Sequence, residues 1–325
     1  MVIDKAQVRR ILVITLSNIG DIILTTPVIR TLKNEFPGAR VDVMVGPQGK
    51  EIFEKDPAVF KLIIYDKHLP ISEKRRLQLK LKKLKYDLVV DLRNTVFPLL
   101  IGPKYRTATI EHFPRSVVHR RDRHLYRLKA IGITRFDIRS YVHIPEKDEE
   151  HVSGLLKELN VTGDFVVVNP SAKSHLKRWT AQGFAEVSDR IMDECSAGVL
   201  LVGTGEDKAV VRDVIKLMKN KPHDLTGKTN IRQLAGLLKR SRLLITNDSA
   251  PMHLACAMGV KVLAIFGPTD PKKYGPTGEF DMVINEKLSC SPCEQAVCAH
   301  DYECMKLISA EAVFDSARMM IDGYE

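Results

Sequence analysis

The feature that most constrains the fold is the stretch 246–271, TNDSAPMHLACAMGVKVLAIFGPTDP, with the apolar run Leu243-Leu244-Ile245 just before it. A short apolar run bounded by turn residues predicts a buried strand. Asn247, Asp248 and Ser249 are residue types that cap helices. Pro251 suits the first helical position, where a missing N–H costs nothing. Leu254, Ala255 and Met258 recur at helical spacing, and Gly259 suits a left-handed helix terminus. The run 262–266 predicts the next strand, stopped by Gly267-Pro268-Thr269-Asp270-Pro271, which is too rich in proline to continue a sheet. A helix between two strands implies a parallel pair with a crossover. Both polar loops then lie at the carboxyl ends of strands, where open α/β sheets bind ligands, and the free N–H groups of the helix suit a phosphate. An ordinary strand–helix–strand unit with a well-capped helix would read the same way, and this stretch alone does not separate the two.

The rest of the chain repeats the alternation. Strands are expected over 9–16, 41–45, 62–65 and 86–92. A helix is expected over 21–35, with Pro27 in or just after its first turn. A basic amphipathic helix over 72–85 carries Leu77, Leu81 and Leu84 on one face. A charged run, 146–150, opens a helix over 151–159 that reads as a link between domains. The pattern then restarts: strands over 165–168 and 199–202, helices over 181–195 and 207–219, the opening stretch, and a last helix over 309–321 capped by Ser309. Alternation of this kind predicts α/β architecture with a parallel sheet in each half.

At 325 residues the prior is two domains. No apolar run approaches the roughly 18 residues that span a bilayer, and the run 11–16 is too short for a signal-peptide core, so a cytoplasmic protein is expected. The net charge of +10 is unevenly placed: residues 1–160 hold 30 Lys and Arg against 19 Asp and Glu, residues 161–325 hold 20 against 21. A basic half beside a neutral one implies an anionic partner for the first, whether nucleic acid, membrane surface or charged glycolipid. The basic helix could dock by its leucines alone or also attach to an anionic membrane surface. Nucleic acid rests on charge without a readable motif. Gly-x-Ser-x-Gly, Walker-type and His-Glu-x-x-His motifs are absent, as is Asp-x-Asp, which weakens transfer through a metal-bound diphosphate.

Individual residues then suggest chemistry. Asp21 stands where a strand gives way to a helix; it is either a cap or a general base for an attacking hydroxyl. Lys177 follows a strand and a polar loop that includes Ser171, and can neutralise a diphosphate leaving group; a solvated lysine is the plain alternative. Glu206 follows Gly203-Thr204-Gly205, and a carboxylate at a strand end can bind ribose hydroxyls. His253, in the first turn of its helix, can touch phosphate or sugar, or can simply pack. Cys290, Cys293, Cys298 and Cys304 make C-x2-C-x4-C-x5-C. In a cytosolic chain such a cluster favours a metal over disulfides. Its spacing departs from the usual paired zinc ligands, so reduced thiols stay open.

The segments ILVITLSNIGDIILTTPVIRTLK and TNDSAPMHLACAMGVKVLAIFGPTDP, with NPSAKSHLKRW, LVGTGED and CSPCEQAVCAHDYECM between and after them, resemble glycosyltransferase family 9, the heptosyltransferases of lipopolysaccharide core assembly. The resemblance implies two Rossmann-like doubly wound domains facing a cleft, the glycosyltransferase B type: an acceptor-binding domain over 1–158, a nucleotide-sugar domain over 159–305, and a helix over 306–325 packing back on the first. It implies inverting transfer of heptose from ADP-heptose to the inner core, with no cofactor and no obligatory metal, at the inner face of the inner membrane. Asp21 matches the proposed base and Lys177 a donor-phosphate lysine. Glu206 matches a ribose residue, and Ser171, Asp248, Ser249, His253 and Thr269 donor-site positions. Ala250 stands where glycine is more common. Arg93, Arg120 and Arg121 are the acceptor candidates, facing the carboxylates and phosphates of the core. A family member with another nucleotide sugar or acceptor, a non-catalytic nucleotide-sugar or anionic-glycan binding protein, and an epimerase stay open as alternatives.

Overall fold

A computed structural model describes residues 3–108 and 112–323. The chain divides into two compact units, Met1–His143 and Ile144–Glu325. In the first, β1 (Arg10–Ile14), β2 (Arg40–Val45), β3 (Lys61–Ile64), β4 (Leu88–Asp91) and β5 (Tyr105–Arg106) form a sheet in the order β3-β2-β1-β4-β5. Every pair is parallel. In the second, β6 (Phe165–Asn169), β7 (Gly198–Leu201), β8 (His223–Asp224), β9 (Leu243–Asn247), β10 (Val262–Phe266) and β11 (Met282–Asn285) run in the order β11-β10-β9-β6-β7-β8, again all parallel. The central strands are buried along nearly their whole length. Helices on both faces of a parallel sheet demand this, which is why these strands read as unbroken apolar runs.

In each unit the first strand lies mid-sheet and the chain winds outward to one side, then returns to the other. The reversal point falls between β1 and β4 in the first unit and between β6 and β9 in the second. Doubly wound sheets bind ligands at the carboxyl ends of the strands flanking that point. Two Rossmann-like units therefore stand as expected.

Several expectations need correction. The helix expected over 21–35 is two helices, Ile19–Ile23 and Thr26–Glu35. Pro27 falls in the first turn of the second, where it needs no N–H partner, and the chain breaks at Leu24 and Thr25. Strands β5, β8 and β11 add to the expected set; all three are short edge strands, β5 and β8 of only two residues without an apolar run, and β11 with an apolar run of only three, Met282-Val283-Ile284.

The division between units falls after His143, earlier than the expected 158. The charged segment read as a link is the helix Glu146–Glu158, which buries Val152 and Leu155 and packs on Ile231–Leu238 in the second unit. Its acidic run is paired: Arg232 Nε donates to Asp148 Oδ2 at 2.7 Å and Arg240 Nη2 to Glu149 Oε2 at 2.8 Å. The final helix, Ala310–Asp322, expected to pack back on the first domain, is instead built into the core of the second unit. Phe314, Ala317 and Met320 are fully buried there with Val168, Ile245 and Leu263. Lys261 Nζ and Arg242 Nη2 donate to the carbonyls of Met320 and Ile321 near its carboxyl end, where cations suit the helix dipole.

Candidate active site

The second unit brings the ends of β6, β9 and β10 to one carboxylate. Asn169 and Thr246 are register partners on β6 and β9, so the loops that follow start side by side. Two asparagines brace them. Asn169 Nδ2 lies 3.0 Å from each of Ser171 O, Thr246 Oγ1 and Ser249 Oγ. Asn247 Nδ2 donates to Pro170 O at 2.9 Å, and Asn247 Oδ1 accepts from Trp179 N–H at 2.9 Å. Trp179 in turn donates from Nε1 to Ile308 O at 3.0 Å. All these side chains but Ser249 are buried, where an unmade hydrogen bond costs about 1–3 kcal/mol. Asn169→Ala removes three of these contacts and leaves the Thr246 and Ser249 hydroxyls bonded to each other; it is therefore expected to cost about 1–3 kcal/mol of stability, read as a lower denaturant midpoint with an unchanged slope.

On this brace sits the charged centre. Asp248 Oδ2 accepts from Lys177 Nζ at 2.6 Å and from Thr269 Oγ1 at 2.7 Å. Asp248 and Thr269 are buried, while the Lys177 side chain is 30% exposed. Three loops thus meet at a single oxygen, with a cation reaching toward solvent. The helix Ala250–Met258 begins beside it, and Ser249, its N-cap residue, does not cap it: the hydroxyl is engaged by Asn169 and Thr246 instead. The uncapped helix start keeps its capacity for an anion. Ser171 Oγ is buried without a hydrogen-bond partner, a hydroxyl available to a ligand. His253 is buried in the first turn of the helix.

Glu206 is exposed on the short turn Gly205–Asp207 after β7. Asp207, beside it, is consumed by the Thr204 N–H and hydroxyl, both 2.7 Å from Oδ2. Gly227 lies against this turn with φ +75°, and a Cβ there would come within 3.3 Å of Gly205 Cα. The Gly203-Thr204-Gly205 signal thus reflects, in part, the approach of a second loop.

In the first unit Asp21 occupies the first turn of Ile19–Ile23, just after β1. It is half-buried and accepts from Asn18 Nδ2 at 3.1 Å. At the end of neighbouring β4, Asp91 is spent on its own loop, accepting from Arg93 N–H at 2.9 Å and from Thr95 N–H and Oγ1 at 2.6 and 2.8 Å. That loop holds Arg93 over the Tyr65 ring, 5.8 Å from its centroid. Arg120 and Arg121 open the helix Arg120–Tyr126, which packs on Thr26–Glu35. Arg121 Nε pairs with Asp122 Oδ1 at 2.9 Å. Strand order brings Asp21 and Arg93 to adjacent strand ends, whereas Arg120 and Arg121 sit a helix away.

Sequence reasoning missed Arg127 and His124 in this unit. Arg127 is buried, with Nη1 3.4 Å from Asp91 O. Burial, then the charges of Arg127, Arg120 and His119, push the His124 imidazole down to about 3. The same cationic field that disfavours protonated His124 favours an anionic ligand. Only the density of basic residues over 115–129 hinted at this.

Cys290, Cys293, Cys298 and Cys304 line one cavity of about 140 Å³ with Leu176, Pro268 and Tyr302. All four are free thiols, and among the described residues no three His, Cys, Asp or Glu side chains stand placed to hold a metal ion. Cys298 Sγ accepts from the N–H groups of His300 and Tyr302 at 3.4 and 3.3 Å. The cysteine segment also supports the Thr269 loop: Ser291 Oγ donates to Gly267 O at 2.6 Å and Glu294 N–H to Pro268 O at 2.8 Å.

The sequence profile of Glycosyltransferase family 9 (heptosyltransferase) matches residues 104–303. The chain belongs to glycosyltransferase family 9. Lipopolysaccharide heptosyltransferase 3 of Escherichia coli K12 is similar, 29% identical over 80% of this chain and 83% of that protein. A solved family 9 glycosyltransferase from Veillonella parvula superposes with a TM-score of 0.83 at 25% identity, covering 96% of this chain and 97% of that one. The structure of Escherichia coli ADP-heptose lps heptosyltransferase II superposes with a TM-score of 0.78 at 21% identity, over 96% and 98%, a likeness of fold. As a family 9 member the chain is a glycosyltransferase, which sets aside the purely binding reading and the epimerase.

Proposed function

We propose that the chain transfers heptose from ADP-heptose to the inner core of lipopolysaccharide with inversion at the anomeric carbon. The observation that carries the proposal is the meeting of Lys177, Asp248 and Thr269 beside an uncapped helix start at the reversal point of the second sheet. That arrangement suits a sugar diphosphate: an ammonium and helix N–H groups for the phosphates, a carboxylate and hydroxyls for the sugar. Ser171, Ser249 and His253 border the same place, and Glu206 serves the ribose.

The acceptor hydroxyl attacks the anomeric carbon, the bond from that carbon to the β-phosphate oxygen breaks, and its electron pair leaves on ADP. Lys177 and the helix start stabilise the charge developing on the diphosphate. Asp21 takes the hydroxyl proton. A carboxylate is a weak base for an alcohol, so the proton moves late, once the sugar–phosphate bond has largely broken. No metal ion is required, because the charge on the leaving group is met by protein groups. The basic first unit, through Arg93, Arg120 and Arg121 and the cationic field around His124, binds the anionic core. Such an acceptor is lipid-anchored, which places the enzyme at the inner face of the inner membrane. In this reading the association is peripheral; no helix among the described residues is long and apolar enough to cross a membrane.

Calorimetric titration with ADP, UDP and GDP tests the donor half. ADP is expected to bind at least about tenfold more tightly than the other two, a difference of ~1.4 kcal/mol. Equal affinities, or preference for UDP, would refute an adenine-nucleotide donor.

A further inference from the structure

We propose that the outward face of the helix Ile71–Lys83, with the neighbouring helix Phe97–Ile101, docks the enzyme on an anionic bilayer surface. The proposal rests on the reading that the acceptor is lipid-anchored and names the surface that reading needs. The helix Ile71–Lys83 buries Leu81 in the core of the first unit, and Leu77 and Leu84 pack against the same core. At roughly 100° per residue, the direction opposite Leu81 is taken by Leu79, with Arg75, Arg76, Lys82 and Lys83 around it. Leu79 is 57% exposed and Ile71 73% exposed, and the four basic residues are exposed too. One exposed leucine is ordinary on a soluble surface; Leu79 counts here because Ile71 on the same helix and Val96, Leu99 and Leu100 at the neighbouring one are exposed as well.

The two helices pack on each other. Phe97–Ile101 buries Phe97 and Ile101, and leaves Leu99 and Leu100 exposed, with Val96 exposed just before it. Positions 96, 99 and 100 share a helical face. Exposed apolar side chains alone would suit a protein partner equally well. The charge decides for lipid: residues 72–85 hold seven basic residues and one acidic. Long basic side chains lay their stems along apolar groups and reach headgroup phosphates with their tips. The face is also tied to the acceptor side of the site. Val96 follows Thr95, which Asp91 holds, and Phe97 meets the Tyr65 ring edge-on at 5.2 Å while Arg93 lies over that same ring. A bilayer seated here presents the head of an anchored glycan to the Arg93 loop.

Co-sedimentation of the full chain with vesicles tests this. Binding is expected to vesicles of phosphatidylcholine with phosphatidylglycerol and not to phosphatidylcholine alone, and it should weaken as salt rises. Arg75→Gln, Arg76→Gln, Lys82→Gln and Lys83→Gln together should lower the partition more than about a hundredfold, at roughly fivefold per charge. Leu79→Ser with Leu99→Ser should lower it about tenfold. Equal binding to both vesicle types, or anionic binding unchanged in both variants, overturns the proposal. Absence of binding to either type also overturns it and leaves the face to a protein partner. Transfer to a delipidated core acceptor should be unaltered in both variants; its absence from the unmodified chain would refute the proposed reaction and leave the vesicle result standing.

Discussion

Replacing Asp21 by alanine is expected to lower the transfer rate by about 10²–10⁴-fold, the usual contribution of a positioned general base. The donor's affinity should be unchanged, because the groups proposed to hold it lie on the loops after β6, β7, β9 and β10. The fold should survive. Asp21 is half-buried and accepts from Asn18 Nδ2 at 3.1 Å, three residues earlier in the loop that leaves β1. Loss of one such bond costs about 1 kcal/mol, a small part of the ~5–15 kcal/mol that holds a domain folded. A fall in rate of two decades or more is thus too large to come from unfolding. Asp21→Asn should be as inactive, since an amide keeps the shape and the contact but accepts no proton. An Asp21→Ala enzyme with near-normal turnover and the same melting temperature would remove Asp21 from the chemistry and return it to a helix-start carboxylate.

Lys177→Ala is expected to lower kcat by about 10²–10³-fold, the cost of losing one charge-stabilising donor at a leaving group, and to weaken ADP binding as well. Here stability needs a separate account. Removing the ammonium leaves Asp248 buried with only Thr269 donating to the same oxygen. Breaking a fully buried pair costs about 3–5 kcal/mol, but Lys177 is 30% exposed, and water reaching its position screens the stranded carboxylate, so about 1–2 kcal/mol is the expected loss. The double variant Lys177→Ala with Asp248→Asn separates the effects. It should recover most of the stability, because no buried charge is left unpaired, and none of the rate. Recovery of the rate together with the stability would make the pair a structural clamp.

Much of the second unit was legible because local signals agreed with one another. Strand β10 could be bounded to the residue, as five apolar residues lie between Lys261 and the Gly267-Pro268 stop. The helix before it was marked by Pro251 at one end and by Gly259, with φ +73°, at the other. What could not be read was long-range. Nothing near Asn169 or Asn247 announces that each will tie together loops almost 80 residues apart in the chain. The pairing of Lys177 with Asp248 is likewise a product of strand order. Edge strands β5 and β8 have no apolar period because they are too short to own one. The charged run 146–150 looked like a linker because its partners, Arg232, Lys239 and Arg240, lie far along the chain. The final helix shows its apolar face in the sequence but not which sheet that face meets; its Phe314, Ala317 and Met320 complete the second core.

The central claim is the reaction itself, and product analysis tests it most directly. The purified chain, given ADP-heptose and a truncated inner-core acceptor, should yield an acceptor heavier by one heptose, one equivalent of ADP, and a glycosidic bond of inverted anomeric configuration by NMR, with no added metal. Retention of configuration, release of ADP without a heavier acceptor, or transfer only from a different nucleotide sugar would contradict it.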